Sequence, residues 1–336
     1  MQRVESWDVS ERTLQLLSIG SRKSRTYYKV GLGDAFPKEQ RYYAFMKTAK
    51  YRHMRDDGRI ECDLCPRHCR LAEGQHGLCS VRRREGDQLI AAAYGRACGL
   101  AVDPIEKKPL YHFLPGSSVL SFGTTGCNLT CAFCQNYHLS RCQEIEGTPI
   151  DPEEIAEAAV RYECESVAFT YNEPTVFFEY AIDTAKACHA RGLQTVAVTN
   201  GWIEPEPCAE FFAHMDAANV DLKAFTDRFY KKLCGASLQP VLETLLHIQR
   251  ETNTWLECTT LLIPGWNDSP AEIDAMTKWV VANLGPDIPW HFSAYRPTPQ
   301  WNEAPPTPLE SLLQAGSVAK ANGIKQIHLG NVHLAT

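Results

Sequence analysis

The chain has 336 residues, 44% hydrophobic and 22% charged, an ordinary globular balance with enough apolar material for a large core. Its 34 basic and 40 acidic side chains give a formal charge of −6, which argues against attachment to nucleic acid through a bulk positive field, though a local basic groove remains open. No apolar run approaches the roughly 18–20 residues of a membrane span. The first residues carry Glu5, Asp8 and Glu11 where a secretory signal would be basic and then apolar, so a cytoplasmic protein is expected.

Residues 1–55 read as a helical or irregular leader in which aromatic and basic side chains mix without catalytic types. Residues 56–114 read as a Cys-rich metal-binding extension and connector. Within them QLIAAAYG (88–95) has the composition of a strand, and DPIEKKPLYHFLPG (103–116), with three prolines, reads as an ordered connector. From residue 115 to 336 the pattern changes to short apolar runs alternating with amphipathic helices. Strands are expected at 118–123, 166–170, 195–199, 217–222, 255–263, 290–295 and 325–330. Helices are expected near 151–163, 174–191, 205–214, 238–251, 270–284 and 308–322. Such alternation predicts a parallel sheet covered by helices, with chemistry at the C-terminal ends of the strands. The polar residues obey that geometry: Cys127 follows the first strand, Asn172 and Glu173 the second, Thr199 and Asn200 the third, Asp221 and Lys223 the fourth, while His291 and Ser293 lie on the sixth.

Fourteen cysteines are many for a chain without a secretory signal, and metal ligation or burial explains them better than disulfides. Seven fall into two groups. GCNLTCAFCQN (126–136) holds Cys127, Cys131 and Cys134, three soft ligands on one short loop. A structural zinc or an electron-transfer cluster takes four protein ligands, so three leave one position open. The competing reading is a zinc site completed by His138 or a distant cysteine. The second group, Cys62, Cys65, Cys69 and Cys79, can close a four-thiolate site, holding either zinc or a second [4Fe-4S] cluster, with the cluster slightly favoured as an electron conduit.

The Cys-x3-Cys-x-Phe-Cys spacing resembles the signature of the radical S-adenosylmethionine (SAM) superfamily, and the resemblance runs over about 115–330. It implies an α/β fold, a partial (β/α)6 TIM-like barrel with an N-terminal Cys-rich extension. It also implies a [4Fe-4S] cluster on Cys127, Cys131 and Cys134, and SAM as the second cofactor. By the same resemblance Asn172 and Glu173 belong to the motif that meets the SAM amino group. Thr199, Asn200, Asp221 and Lys223 are similar to motifs of pyruvate formate-lyase activating enzymes, with Asp221 toward the ribose and Lys223 toward the carboxylate. His291 matches a late histidine that meets SAM. Three bland readings stand beside these: Glu173 before Pro174 as a helix cap, Asp221 with Lys223 as an ordinary ion pair, and His291 as a buried hydrogen-bonded histidine.

DPIEKKPLYHFLPGS together with GCNLTCAFCQNYHLS resembles the radical SAM member of the AmmeMemoRadiSam group. That implies AMMECR-type and Memo-type partners, a flavodoxin or ferredoxin as electron donor, and a macromolecular substrate, protein or RNA. A glycyl-radical enzyme activase is the alternative within enzymes. A structural zinc scaffold is the alternative from another class.

Overall fold

The computed structural model describes residues 6–9, 12–18, 28–32 and 47–332. Strands β1 (Ser6–Val9), β2 (Arg12–Ser18) and β3 (Tyr28–Leu32) are antiparallel neighbours. The helical or irregular leader is therefore corrected over its described part: Leu14 and Leu16 alternate with Thr13 and Gln15, the two-residue period of a strand. Next come the small antiparallel sheet of β4 (Arg52–Met54), β5 (Ile60–Cys62) and β6 (Arg70–Leu71), then the hairpin of β7 (Arg82–Glu85) and β8 (Gln88–Ala91).

Strand β9 (Arg96–Pro104) is the element that the composition of 88–114 concealed. It runs antiparallel to β10 (Ser118–Gly123), pairs with β3 through Tyr28 and Lys29, and also pairs with the short β11 (Thr148–Pro149). A domain boundary at 114/115 therefore cuts through a hydrogen-bonded sheet. The first residues of the 103–116 connector, Asp103 and Pro104, are the end of that strand.

After β10 the parallel strands follow in chain order: β12 (Ser166–Phe169), β13 (Gln194–Thr199), β14 (Ala217–Asp221), β15 (Trp255–Leu262), β16 (Trp290–Ala294) and β17 (Ile327–Gly330). Helices α1 (Pro152–Arg161), α2 (Phe178–His189), α3 (Pro205–Phe212), α4 (Gln239–Glu251), α5 (Pro270–Asn283) and α6 (Leu309–Ala321) connect them. The expected partial barrel is what forms. Val119, Leu120, Phe122, Val167, Phe169, Val196 and Val220 are fully buried, as a parallel sheet covered on both faces requires. Asp151 starts α1 with a capping box, accepting from Glu154 N at 2.8 Å while Glu154 accepts from Asp151 N at 2.9 Å.

The 105–116 connector plugs the N-terminal end of the barrel. Asn219 Nδ2 donates to Pro109 O at 2.8 Å, and Glu257 accepts from Tyr111 N at 3.0 Å and His112 N at 2.8 Å. The connector's start is pinned by Asp103, which accepts from Lys107 at 2.6 Å and Lys108 at 2.8 Å. Burial opposes the charge on Asp103, but Lys108 and Lys107 outweigh it and hold the carboxyl below its ordinary range.

Asp103→Asn leaves the buried Lys108 without its counter-charge and is expected to cost about 3–5 kcal/mol in urea unfolding. Because Asp103 has a depressed pKa in the folded state, its contribution is present above the unfolded carboxyl value of about 3.9 and is lost as pH falls through the folded value. The stability gap between parent and variant should therefore be full at neutral pH and close in acid.

Candidate active site

The cysteine loop leaves the C-terminal end of β10 and is held from two sides. On one side, Asn172 Oδ1 accepts from Thr124 N at 3.0 Å, while its Nδ2 donates to Thr124 Oγ1 at 3.0 Å and to Gly126 O at 2.7 Å. On the other, Thr130 N donates to Cys234 O and Ala132 N to Leu233 O, both at 2.8 Å. Gly126 has φ +90°, and a Cβ there would stand 2.1 Å from the Cys79 carbonyl oxygen, so only glycine allows this approach. Phe133 is buried against Phe229 and Trp301, which anchors the loop between its second and third cysteines.

Cys127, Cys131 and Cys134 line one cavity of about 470 Å³ at the C-terminal ends of the strands. Asn172, Glu173, Thr199, Asn200, Asp221 and Lys223 line the same cavity. The structure thus brings these nine candidates together. Burial pushes the Cys127 thiol well above its ordinary range, and the charges of Glu173 and Cys131 push the same way. Burial at Cys127 disfavours a free thiolate there and favours one neutralised by a metal, whereas the hydrogen bond with Cys234 draws the Cys131 thiol down. Among the described residues no three of these sulfurs lie within 4.8 Å of one another, a spacing too wide for one zinc ion with bonds of about 2.3 Å. Separate corners of one cluster fit it. No other cysteine and no histidine among the described residues lines the cavity.

Glu173 is 1% exposed and is the hub of the polar wall. Its Oε1 accepts from Thr175 N at 3.0 Å, Thr175 Oγ1 at 2.8 Å and Thr199 Oγ1 at 2.7 Å; Oε2 accepts from Asn200 N at 2.8 Å. Burial raises its pKa, and the Asn200, Thr199 and Thr175 donors pull it back in part. It caps the short 3-10 turn Pro174–Phe177 as well as facing the cavity, so both readings of this residue hold. Lys223 Nζ stands 2.9 Å from Asp221 Oδ2. Burial works against the ammonium, but Asp221 and the nearby Cys131 hold it well above the ordinary lysine range, so it stays charged.

His291 does not reach the cavity. It is the second residue of β16 and lies near that strand's N-terminal end, with Nε2 2.7 Å from Glu257 Oε2. Ser293, two residues further along the strand, lines the cavity instead. The expected SAM contact at His291 is corrected for this reason of strand position. Asn128 is a residue the sequence reading passed over: its Oδ1 accepts from Asn200 Nδ2 at 2.9 Å and its Nδ2 donates to Trp202 O at 2.8 Å. Lys108 and Thr259 also line the cavity without a motif to announce them. The second group, Cys62, Cys65, Cys69 and Cys79, lines a separate cavity outside the barrel.

Asn172→Ala removes the clamp on the cysteine loop and leaves buried backbone groups at Thr124 and Gly126 unpaired. A loss of about 1–3 kcal/mol is expected, together with reduced iron retention after anaerobic reconstitution, measured as iron per chain.

Residues 122–277 match the Radical SAM superfamily. The chain is 41% identical over 289 residues to an uncharacterized protein of Methanocaldococcus jannaschii, covering 85% of this chain and 86% of that protein. It is 24% identical over 163 residues to the pyruvate formate-lyase 1-activating enzyme of Escherichia coli K12, covering 46% of this chain and 64% of the enzyme. A radical SAM methyltransferase from Sphaerobacter thermophilus has the same fold, with a TM-score of 0.54 at 15% identity over 85% of this chain and 78% of that one. With the cysteine loop, the partial barrel and these similarities in agreement, the chain belongs to the radical SAM superfamily.

Proposed function

We propose that this chain is an enzyme that binds a [4Fe-4S] cluster through Cys127, Cys131 and Cys134, cleaves SAM reductively in the adjoining cavity, and directs the resulting radical at a macromolecular substrate. Members of the superfamily use this cluster and SAM. The observation that carries the reading is the cavity itself: among the described residues three thiols line it, faced by the Glu173 carboxylate and by Lys223, Lys107 and Lys108, while Cys234, in hydrogen-bond contact with Cys131, is not on its wall. When bound, the reduced cluster supplies one electron to the SAM sulfonium, which gives methionine and a 5′-deoxyadenosyl radical able to take hydrogen from an unreactive carbon.

The chain's own residues bind and orient. Lys223, kept charged by Asp221, suits the methionyl carboxylate. Glu173 Oε2 accepts a single protein hydrogen bond, from Asn200 N, and keeps capacity for the SAM ammonium. Asp221 offers its remaining oxygen to a ribose hydroxyl. Leu129, Phe133, Val198 and Leu261 supply apolar walls that limit water. Asn172 is spent on the loop and acts as a positioning residue. A macromolecular substrate, protein or RNA, is supported by the resemblance of DPIEKKPLYHFLPGS and GCNLTCAFCQNYHLS to the AmmeMemoRadiSam group.

The sequence resemblance supports AMMECR-type and Memo-type partners and a flavodoxin or ferredoxin as donor. Among the described residues no helix is long and apolar enough to cross a membrane. Activation of a glycyl-radical enzyme is the second reading, supported by the similarity to the E. coli activating enzyme. A glycyl radical formed on a candidate partner after incubation with SAM and reductant would select it.

Replacing Cys127, Cys131 and Cys134 together by alanine should abolish 5′-deoxyadenosine formation while circular dichroism shows the fold retained. Single alanine replacements of Glu173, Asp221 and Lys223 should each weaken SAM binding about tenfold or more, since a charge-assisted hydrogen bond contributes roughly 1.5–3 kcal/mol. SAM affinity equal to the parent in all three single variants would refute the assignment.

A further inference from the structure

The upstream cysteines form a second site built against the first. Cys62 ends β5, Cys65 and Cys69 lie on the loop to β6, and Cys79 precedes β7. All four line one cavity, and its remaining wall includes Asn128, Thr175 and Val176 from the mouth of the barrel. Gly77 packs between two of the sulfurs: a Cβ there would lie 3.5 Å from Cys69 Sγ and 3.6 Å from Cys79 Sγ, in van der Waals contact with both. No three of the four sulfurs gather within 4.8 Å of one another. One tetrahedral zinc, with bonds of about 2.3 Å, would draw them closer than that, whereas thiolates on separate corners of a cubane stand several ångströms wider.

A second observation points to an anionic occupant. Arg82 lines this cavity and is only 2% exposed. Its Nη1 donates to Glu179 at 2.9 Å, while Nε has no hydrogen-bond partner. A buried donor left open on a side chain that lines this cavity and interacts with Cys62 and Cys79 is suited to the sulfur of a negatively charged cluster.

The two cysteine loops touch directly. The Cys79 carbonyl is seated on Gly126, whose next residue is Cys127. Arg67, from the upstream loop, donates through Nη2 to Asn128 O at 3.1 Å and lies 5.0 Å from the Trp202 ring. A path from one ligand set to the other therefore runs along backbone with a single non-bonded step, from Cys79 to Gly126.

We propose that Cys62, Cys65, Cys69 and Cys79 hold a second [4Fe-4S] cluster that relays single electrons to the cluster on Cys127, Cys131 and Cys134, the relay resting on the reading of the barrel cavity as a SAM-cluster site. One electron leaves a reduced carrier of the flavodoxin or ferredoxin class and takes the outer cluster from its 2+ to its 1+ state. Transfer inward returns the outer cluster to 2+, and no bond is made or broken in this step.

The test uses the full chain, reconstituted anaerobically with iron and sulfide. The parent should hold about eight irons, and both the Cys62→Ala/Cys65→Ala variant and the Cys127→Ala/Cys131→Ala/Cys134→Ala variant about four. In the barrel variant the reduced cluster should give an electron paramagnetic resonance signal that SAM does not alter. This arm needs no mutation of the outer site and holds even if the outer variant fails to fold. In the outer variant, 5′-deoxyadenosine formation driven by reduced flavodoxin should fall at least tenfold relative to formation driven by dithionite. About four irons and one zinc per chain in the parent would overturn the cluster assignment. An unchanged flavodoxin-to-dithionite ratio in a folded outer variant would overturn the relay. Failure of the barrel reading shows separately, as SAM cleavage that survives in the barrel variant.

Discussion

The approach of Gly126 to the carbonyl of Cys79 is the constraint on which the site depends. A Cβ at 2.1 Å from that oxygen is impossible, so the loop carrying Cys127 must turn through a glycine at φ +90°. Once it does, the N-terminal cysteine segment and the barrel loop share one backbone contact. Arg82 on Glu179 and Arg67 on Asn128 then fix the segment laterally. The Arg82–Glu179 pair is buried on both sides, at 2% and 8% side-chain exposure. Such a pair adds little net stability over an apolar replacement, but breaking one half of it is costly. Its value is positional: the extension cannot shift without stranding a charge.

The same economy governs the polar wall of the cavity. Glu173 caps a turn, ties Thr199 and Asn200 to β12, and still presents an oxygen to the cavity. Burial of one carboxylate is tolerable because four donors offset the lost hydration. Those donors come from two strand ends, so the carboxylate is fixed in place before any ligand arrives. Asn128 extends the network toward the extension, since it bonds Asn200 on one side and borders the outer cysteine cavity on the other.

What the sequence made legible follows from where each signal is written. The parallel strands are continuous apolar runs between amphipathic helices, and the seven expected from residue 118 onward fall within a few residues of β10 and β12 to β17. The cysteine loop is equally legible, because three thiols in eight residues have few other uses. Strand β9 was hidden because Arg96, Cys98, Gly99 and Asp103 break the apolar pattern, and its pairing with β10 and β3 is a property of the assembled sheet. Strands β1 to β3 are four to seven residues each, and the two-residue period at Thr13 to Leu16 is too short a run to stand out from its polar surroundings. Asn172 lines the cavity, and its bonds to Thr124 and Gly126, which tie it to the cysteine loop, span 46 to 48 positions of sequence and so leave no local pattern.

His291 shows why residue type alone misleads within a barrel. Inward-facing positions recur every second residue, so His291 and Ser293 both point inside, yet they sit at different depths. At the deeper level Glu257 collects His291, Trp255 and the backbone of Tyr111 and His112, and its carboxyl is held low by them despite burial. That layer closes the barrel and gives nothing to the mouth. Toward the mouth, register pairs Leu261 with Ser293, and both line the cavity; Thr259 pairs with Asp221 on one side and His291 on the other, and Thr259 and Asp221 line the cavity while His291 is taken by Glu257. Moving two residues along a strand, about 6.6 Å, separates a group bound to Glu257 from one that lines the cavity. Depth on the strand and the partner found there together decide a residue's role: Thr259 is level with His291, yet it lines the cavity while His291 is held by Glu257.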